Sequence, residues 1–478
     1  MARTTCIGNA AWVAAWDAGA QRHVYRRNVD VVFRGNEITF VGASYGGPVD
    51  ERIDGRNVFA IPGLVDLHSH PTTEPAYKGI REEHGVPDMY MSGLYERAVA
   101  FRLDEEGRRA AAKVAYSEML ASGVTSVADL SVGFDGWVDL LARSGLRAFV
   151  APGYASAQWH LENRHEVKFR WDEPAGRAAF DRALALMATA EKHPSGRLSG
   201  VVYPMQVDTC SEELLCDSVA VARDTHRPLT IHAAQSVMEF HLMVQRHGRT
   251  PIQWASDIGL LTPQTFLGHG IFLDGHSWLH WWSRRDLQLL AERGTSVAHC
   301  PTPFARYGQL LEDLGRYLRA GVNVGIGTDV SPHNLLEEMR WATVLARIAA
   351  EDVNSVSTAD VFHAATVGGA RALHRDDLGR LAPGMKADIV LVDVSDVTMG
   401  PLRDPLRSLV YTAAERAVRH VYVDGVKVVS DGKVLTLDRE DALARLQEAQ
   451  QRMIDGVPSR DHAGRTAAQI APLSLPLA

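Results

Sequence analysis

Short apolar runs alternate with longer amphipathic segments through the middle of the chain. Eight runs have the length and composition of buried strands, and they cover residues 58–67, 124–130, 146–152, 200–205, 228–233, 265–270, 295–300 and 322–328. Helical spacing occupies the segments between them, among them 105–122, 335–350 and 358–373. Alternating strands and helices indicate βα units and a parallel sheet, and eight strands are the number that closes a (β/α)8 barrel. We therefore predict an α/β fold with a barrel over residues 61–378.

Both ends of the chain have strand patterning instead. Residues 1–60 and 379–437 contain alternating stretches separated by turn residues, and neither segment has an obvious core alone. Asp424-Gly425, between two apolar runs, is a strong hairpin signal. We therefore predict one composite β-domain built from both segments. Residues 438–478 are predicted to form a charged amphipathic helix and an extended arm, which we expect to pack on another subunit of a homo-oligomer.

Two connections, 71–104 and 153–173, are too long for simple βα loops. Long loops at the catalytic end of a barrel usually act as lids or substrate walls. Both loops contain aromatic residues, and we predict that one of them, Trp159, contacts the substrate. For any single ring, packing of the loop onto the barrel is the simpler alternative.

Composition narrows the function classes. The chain has 478 residues, enough for a large barrel and a smaller domain or for three ordinary domains. A net charge of −8 without basic runs disfavours a nucleic-acid partner. Four cysteines are too few for a disulfide framework, and no stretch has the length of a membrane span or the pattern of a targeting segment. We therefore expect a cytoplasmic protein that acts on a small molecule, with no membrane partner.

Two histidines end the first barrel strand. Residues 61–70 read Ile-Pro-Gly-Leu-Val-Asp-Leu-His-Ser-His, and the alternation of a strand points His68 and His70 to the same face. Two neutral imidazoles make half of a divalent metal site. An isolated His-x-His motif is more often a pair of surface histidines in a turn. The remainder of the chain reverses that preference.

Later strands also end in residues that can bind a metal. The fifth predicted strand ends in His232, the sixth in His269 and the eighth in Asp329. Each residue alone is more often structural, but their shared position at strand ends is hard to explain by packing. We predict that His68, His70, His232 and Asp329 bind one divalent metal ion.

Such an ion lowers the pKa of a water molecule toward neutrality, so that hydroxide can attack an sp² carbon. Asp329 is predicted to act first as the base and then as the acid that protonates the leaving nitrogen. His269 would hold the hydroxide in line or polarise the substrate. His299, at the end of the seventh strand, is predicted to support the site from outside or to contact the substrate.

These motifs resemble the amidohydrolase superfamily, in its chlorohydrolase and cytosine-deaminase-like branch. The matching segments span nearly the whole chain, at residues 62–70, 209–215, 232–251, 267–270, 296–301, 327–329 and 381–388. The resemblance implies a distorted (β/α)8 TIM barrel with a small β-sandwich domain, and hydrolysis at a carbon that bears nitrogen or another leaving group. It also implies one metal ion, zinc first, with iron or cobalt as alternatives. The fourth strand has no lysine to bridge a second metal.

Two positions depart from the pattern of this branch. Its deaminases carry a glutamate three residues after the strand-five histidine, and this chain has Gln235 there, which cannot carry a proton. Met205 stands where the branch often has a polar substrate contact. Phe304 is predicted to add an apolar wall to the substrate pocket. These three residues are predicted to bind the substrate.

Both departures favour an open-chain carbonyl substrate, because an amide, urea or carbamate needs no acid at a ring nitrogen. Our first expectation is therefore a metal-dependent amide, urea or carbamate hydrolase, similar to the members that hydrolyse urea and thiocarbamate herbicides. The alternative is an aminohydrolase or dechlorinase of a nitrogen heterocycle, such as a triazine or pyrimidine, with His299 or Glu239 as the acid. A third possibility is a non-catalytic binding subunit, against which the intact set of metal ligands argues.

Overall fold

A computed structural model describes residues 2–80 and 84–477. In chain order its strands are β1 (Thr4–Ala10), β2 (Trp12–Asp17), β3 (Arg22–Arg26), β4 (Val29–Arg34), β5 (Glu37–Gly42), β6 (Glu51–Asp54), β7 (Val58–Pro62), β8 (Leu64–Ser69), β9 (Val124–Ser131), β10 (Arg147–Pro152), β11 (Ala157–His160), β12 (Lys168–Trp171), β13 (Leu198–Gly200), β14 (Leu229–Ala233), β15 (Thr265–His269), β16 (Ser296–His299), β17 (Val324–Ile326), β18 (Ile389–Asp393), β19 (Val418–Val423), β20 (Val426–Ser430) and β21 (Lys433–Val434).

The helices lie mostly between the strands of the middle region. They are α1 (Leu94–Ala100), α2 (Glu105–Ala121), α3 (Trp137–Ser144), α4 (Glu173–Glu191), α5 (Glu212–Thr225), α6 (Val237–His247), α7 (Pro251–Asp257), α8 (Asp286–Arg293), α9 (Pro301–Arg306), α10 (Leu314–Arg319), α11 (Leu335–Ala350), α12 (Thr358–His363), α13 (Gly369–Ala372), α14 (Pro405–Ser408), α15 (Arg439–Asp455) and α16 (Ala467–Ile470). Within residues 2–80 and 84–477, no helix has both the length and the apolar character needed to cross a bilayer.

The middle region has the mixed α/β organisation of a TIM-barrel-type fold. Its parallel strands form two four-stranded sheets, with the orders β13-β10-β9-β8 and β14-β15-β16-β17. Isolated parallel bridges join the ends of the two sheets, at Val202 with Leu229 and at Ser69 with Asp329. The predicted α/β class is confirmed. The strand ladders nevertheless form two sheets rather than the one continuous sheet that the sequence predicts.

Two predicted strands differ from those in the structure. The run 58–67 is divided at Gly63, where a Cβ atom would lie 2.0 Å from Thr125 Oγ1, so β7 and β8 join different sheets. The run 200–205 keeps only isolated bridges after β13 ends at Gly200. Pro204 has no backbone N–H to donate, which explains why no regular ladder continues through it.

Helix boundaries follow local capping chemistry. α2 begins after Asp104, whose carboxylate accepts a hydrogen bond from the Gly107 backbone N–H at 2.7 Å. α11 covers the predicted range 335–350. The predicted helix 358–373 is instead divided into α12, a π turn over Ala364–Gly368, and α13.

The two ends of the chain pair with each other. One sheet has the order β21-β20-β19-β18-β7-β2-β3, and the order β5-β4-β1-β6 forms another. Buried side chains from both segments, including Ile7 and Ile389, share one hydrophobic cluster. Asp424 and Gly425 have φ of 53° and 76° between β19 and β20, as a two-residue hairpin turn requires. The division of the chain into domains stays a prediction.

Residues 439–470 pack on their own chain. α15 lies along α2 and buries Leu446, Ala449 and Met453. The predicted extended arm contains the short helix α16, which begins at a capping box formed by Thr466 and Gln469. A contact between subunits stays a prediction.

Candidate metal centre

The structure brings the four predicted metal ligands together. His68 lies in β8, His70 directly follows it, His232 lies in β14, and Asp329 follows β17. One ligand atom from each of the four residues lies within 4.8 Å of the others. His70 Nε2 is 3.2 Å from His232 Nε2 and 3.3 Å from Asp329 Oδ1. The carboxyl ends of parallel strands converge on one edge, which places these side chains on a common centre.

Backbone carbonyls orient two of the imidazoles. His70 Nδ1 donates to the Leu130 carbonyl oxygen and His232 Nδ1 donates to the Met205 carbonyl oxygen, each at 2.7 Å. These bonds assign the proton to Nδ1 and leave the Nε2 lone pairs directed at the centre. Burial, and then the neighbouring histidines, hold the pKa of His232 well below its ordinary value. The neutral form is the one that binds a metal.

His68 provides an independent test of whether a metal fits. Its side chain is completely buried, and neither ring nitrogen has a hydrogen-bond partner in the described part of the chain. A buried polar nitrogen left in this state costs free energy, and a cation between the imidazoles would satisfy it. Three imidazoles and one carboxylate are also a donor set that suits zinc. The four residues therefore form a site for one divalent metal ion.

Asp329 is held on the centre by its backbone. Its φ of 56° lies in the left-handed region, and its N–H donates to the His68 carbonyl oxygen at 2.8 Å. Burial alone would raise the pKa of Asp329. The imidazoles of His68 and His70, whose Nε2 atoms lie 3.5 and 3.3 Å from Asp329 Oδ1, outweigh that effect and hold the pKa of Asp329 well below its ordinary value. Asp329 is therefore an ionised carboxylate.

Asp66 is a supporting residue that the sequence interpretation missed. Its buried carboxylate accepts hydrogen bonds from Thr328 N and Oγ1, at 3.0 and 2.6 Å, and from His68 N at 3.2 Å. It thus ties the strand that carries His68 to the segment before Asp329. Burial raises the pKa of Asp66 to about 6 despite these bonds. Its position two residues before His68, on the same face of the strand, was the signal that could have identified it.

Gly268 in β15 leaves room for the His68 ring at the centre. A Cβ atom there would lie 2.4 Å from Cε1 of the His68 ring. Any larger residue would displace that ring. The glycine in Leu267-Gly-His269 therefore serves the geometry of the metal site.

A cavity of about 950 Å³ opens onto the cluster. Its lining includes three of the metal ligands and five residues predicted to be catalytic or substrate-binding, namely Met205, Trp159, Gln235, His269 and Phe304. The His269 ring centroid lies 4.7 Å from that of His68 and 4.6 Å from that of Phe304. The structure thus places these five residues beside the metal site, and their individual roles stay predictions.

His299 and Glu239 lie outside the described cavity lining. His299 is buried, and burial lowers its pKa to about 4. Glu239 has no exposed surface, and its carboxylate accepts from the backbone N–H groups of Ala234 at 2.6 Å and Gln235 at 3.3 Å. In this arrangement Glu239 braces the chain behind Gln235. The substrate contact predicted for His299 stays a prediction.

Proteins of known family and activity are similar to this chain over most of its length. A model of the amidohydrolase family matches residues 59–428. A 5-methylthioadenosine/S-adenosylhomocysteine deaminase from Natronomonas pharaonis is 30% identical over 84% of this chain and 88% of its own length. A 5'-deoxyadenosine deaminase from Methanosarcina mazei is 27% identical over 90% of this chain and 94% of its own length.

A solved structure shares the fold. Atrazine chlorohydrolase from Arthrobacter aurescens, complexed with zinc, superposes with a TM-score of 0.80 at 24% identity, over 93% of this chain and 100% of that chain. Together with the family match, this similarity supports a TIM-barrel-type fold.

Proposed function

Because the chain belongs to the amidohydrolase family, we propose that it is an aminohydrolase, which replaces an amino group on a carbon of a nitrogen heterocycle by the oxygen of water. The family makes the chain an enzyme that hydrolyses carbon–nitrogen bonds other than peptide bonds. The sequence relatives are deaminases of adenosine-type nucleosides, and they favour a heterocyclic amine as the substrate over our first expectation, an amide, urea or carbamate. The observation that carries the proposal is the His–Asp cluster in the wall of a cavity large enough for such a ring.

The four residues would hold a divalent ion, which would supply Lewis acidity for hydrolysis near neutral pH. The ionised Asp329 carboxylate accepts a proton from the attacking water and delivers it to the departing amine. On this proposal His269, which lines the cavity beside the cluster, donates a hydrogen bond to the oxygen that is added to the ring carbon. The C–O bond forms, the C–N bond breaks, and ammonia leaves with the transferred proton.

Gln235 limits which heterocycles can react. Its amide donates to the Gln206 side-chain oxygen and cannot deliver a proton to a ring nitrogen. Of the other carboxylates in the described cavity lining, Glu74 is bound by Arg97 at 2.6 Å and Asp172 caps α4. Proton transfer therefore falls to Asp329. We infer that the reacting carbon of the preferred substrates is already activated toward attack by water. Either a neighbouring ring nitrogen already carries a proton, or the ring bears electron-withdrawing substituents.

Trp159 supports a planar substrate. Its Nε1 donates to Asp208 Oδ2 at 3.2 Å, and its ring packs edge to face on Tyr95 with centroids 4.8 Å apart. A ring fixed on both sides presents a flat apolar surface at low entropic cost. Such a surface suits a heterocycle better than a flexible open-chain amide.

The test is an assay of the metal-loaded enzyme on three compounds: an aminotriazine, a 5'-deoxyadenosine-type nucleoside and an arylurea. We expect ammonia release from at least one heterocyclic amine and none from the Asp329→Ala variant. The arylurea is included because Gln235 favours a second candidate, carbonyl cleavage without a ring acid. Arylamine release from the urea, with no ammonia from either heterocycle, would overturn the proposal.

A further inference from the structure

The outer wall of the cavity is formed by residues 72–77 and 94–103, which lie in the long connection after β8. The wall contributes Thr72, Glu74, Tyr77, Arg97, Phe101 and Arg102, among others, to the cavity lining. It contains α1 but no strand of the parallel sheets. Its position therefore depends on packing against other parts of the chain.

Residues 439–470, called here the terminal segment, cover the back of this wall. Leu446 and Met453 on α15 share a buried hydrophobic cluster with Tyr77 and Phe101, which line the cavity. Ile470 on α16 belongs to the same cluster. The two aromatic residues thus share a hydrophobic cluster with a segment more than three hundred residues away in sequence.

Hydrogen bonds attach the terminal segment to the backbone of the wall. Gln450 Nε2 donates to the carbonyl oxygens of Ala76 at 2.7 Å and Lys78 at 3.0 Å, on either side of Tyr77. Arg460 Nη1 donates to the carbonyl oxygen of Arg102 at 3.0 Å. These bonds satisfy loop carbonyls that lie directly at cavity-lining residues.

An ionic network attaches α1. The Arg465 guanidinium donates to the buried carboxylate of Glu96, which also lies 2.7 Å from His84 Nε2. Asp461 Oδ1 accepts from the same guanidinium nitrogen, Arg465 Nη2, at 2.6 Å. The next residue of α1, Arg97, binds Glu74 in the cavity. Arg465 is therefore linked to the cavity by two consecutive residues of α1: it binds Glu96, and Arg97 binds Glu74.

We propose that the terminal segment is a positioning element for substrate binding, with Arg465 and Gln450 as its positioning residues. It holds the outer wall in the conformation that binds substrate and contributes no atom to the metal centre. Loss of its contacts releases the wall, so that binding must pay the cost of ordering it. The inference rests on the proposed function only in requiring that the cavity binds the substrate.

The experiment compares Arg465→Ala and Gln450→Ala with a matched control, Arg445→Ala. Arg445 is half-exposed on α15 and pairs with Asp441 at 3.0 Å and with Glu106 of α2 at 3.5 Å, and none of its hydrogen bonds or ion pairs within the described residues is to 72–77 or 94–103. Because a hydrogen bond to a charged group is lost, we expect amide hydrogen exchange in residues 94–103 of Arg465→Ala to accelerate about tenfold. KM should rise by a similar factor, with kcat within about twofold and metal content unchanged. Arg465→Lys should restore part of the loss, and the control should match the parent protein.

Unchanged exchange in residues 94–103 together with an unchanged KM would overturn the proposal. So would an equal loss of kcat and metal, because that result indicates a general structural role. If Arg465→Ala does not fold, the milder Gln450→Ala variant decides the question by the same two measurements. If the parent protein turns over no heterocycle, the proposed function fails, and the exchange of residues 94–103 still decides this inference.

Discussion

The metal centre and the outer wall of the cavity are built in opposite ways. At the centre, each ligand lies in a strand of the parallel sheets or within three residues after one, and hydrogen bonds of 2.7 Å to backbone carbonyl oxygens orient the His70 and His232 rings. The outer wall is loop and short helix, and it is held from behind by residues 439–470. The region built on strands thus holds the metal ligands, and the remotely supported region lines the cavity. If the proposed function holds, we expect substitutions in the outer wall to alter substrate choice without altering the reaction.

The largest effect is expected at the centre. Asp329→Ala removes a metal ligand and the proposed proton carrier together, so kcat should fall by about 10³-fold or more. Steady-state kinetics and metal analysis measure the two effects. The control is Asp181→Ala at an exposed position on α4, which should leave kcat and metal content unchanged. Retention of most activity in Asp329→Ala would remove the distinction between the two regions.

A buried ion pair outside both regions allows an effect on stability to be separated from an effect on catalysis. Arg147 on β10 binds Asp388 at 3.0 Å and Asp424 at 2.8 Å, joining the parallel sheet to the terminal strands. Because Arg147→Ala leaves a buried carboxylate without its partner, it should lower the free energy of unfolding by about 3–5 kcal/mol. Urea denaturation measures this change.

The folded Arg147→Ala enzyme should keep its KM and kcat within about twofold, since it touches neither region. Arg143→Ala, exposed on α3, is the matched control for the removal of an arginine. A large kinetic change in folded Arg147→Ala would mean that the centre depends on the terminal strands.

Gln235→Glu tests whether the residue at position 235 limits turnover of heterocyclic amines. The new carboxyl group can protonate a ring nitrogen, so turnover of a heterocyclic amine should rise by about tenfold. Cleavage of an arylurea, which needs no ring acid, should not increase. Gln235→Ala is the companion variant and separates loss of the amide from gain of the acid. If Gln235→Glu left heterocycle turnover unchanged, Gln235 would not limit the reaction.

The smallest effect concerns Trp159. Trp159→Phe keeps an aromatic ring but removes the hydrogen bond to Asp208 Oδ2. The ring then loses one of its two restraints, so KM should rise by about three- to tenfold while kcat stays nearly constant. Titration of a planar competitive inhibitor checks the binding change directly. A loss confined to kcat would instead place Trp159 in the reaction.

The sequence predicted the centre far better than its surroundings. His68, His70, His232 and Asp329 could be assigned because strand alternation and parallel strand ends are local patterns with one geometric outcome. The packing of Arg465 on Glu96, 369 residues away, leaves no local pattern. The same holds for the break at Gly63, where the backbone N–H groups of Gly63 and Leu64 donate to Asp388 and Gly123, residues that are distant in sequence.

The substrate class shows a similar limit. Gln235 and Met205 together predicted an open-chain carbonyl substrate, because an amide, urea or carbamate needs no acid at a ring nitrogen. The sequence relatives, which match over most of their length, favour a heterocyclic amine. One polar position determines which proton transfers are possible, whereas the shape of the cavity depends on loops whose conformation the sequence pattern does not reveal.

The most direct test of the metal centre is the activity and metal content of one preparation before and after chelation. We expect about one divalent ion per chain, loss of turnover as the ion is removed, and recovery when zinc is returned. A metal-free preparation that turned over substrate at the original rate would contradict a reaction that depends on His68, His70, His232 and Asp329 holding a cation.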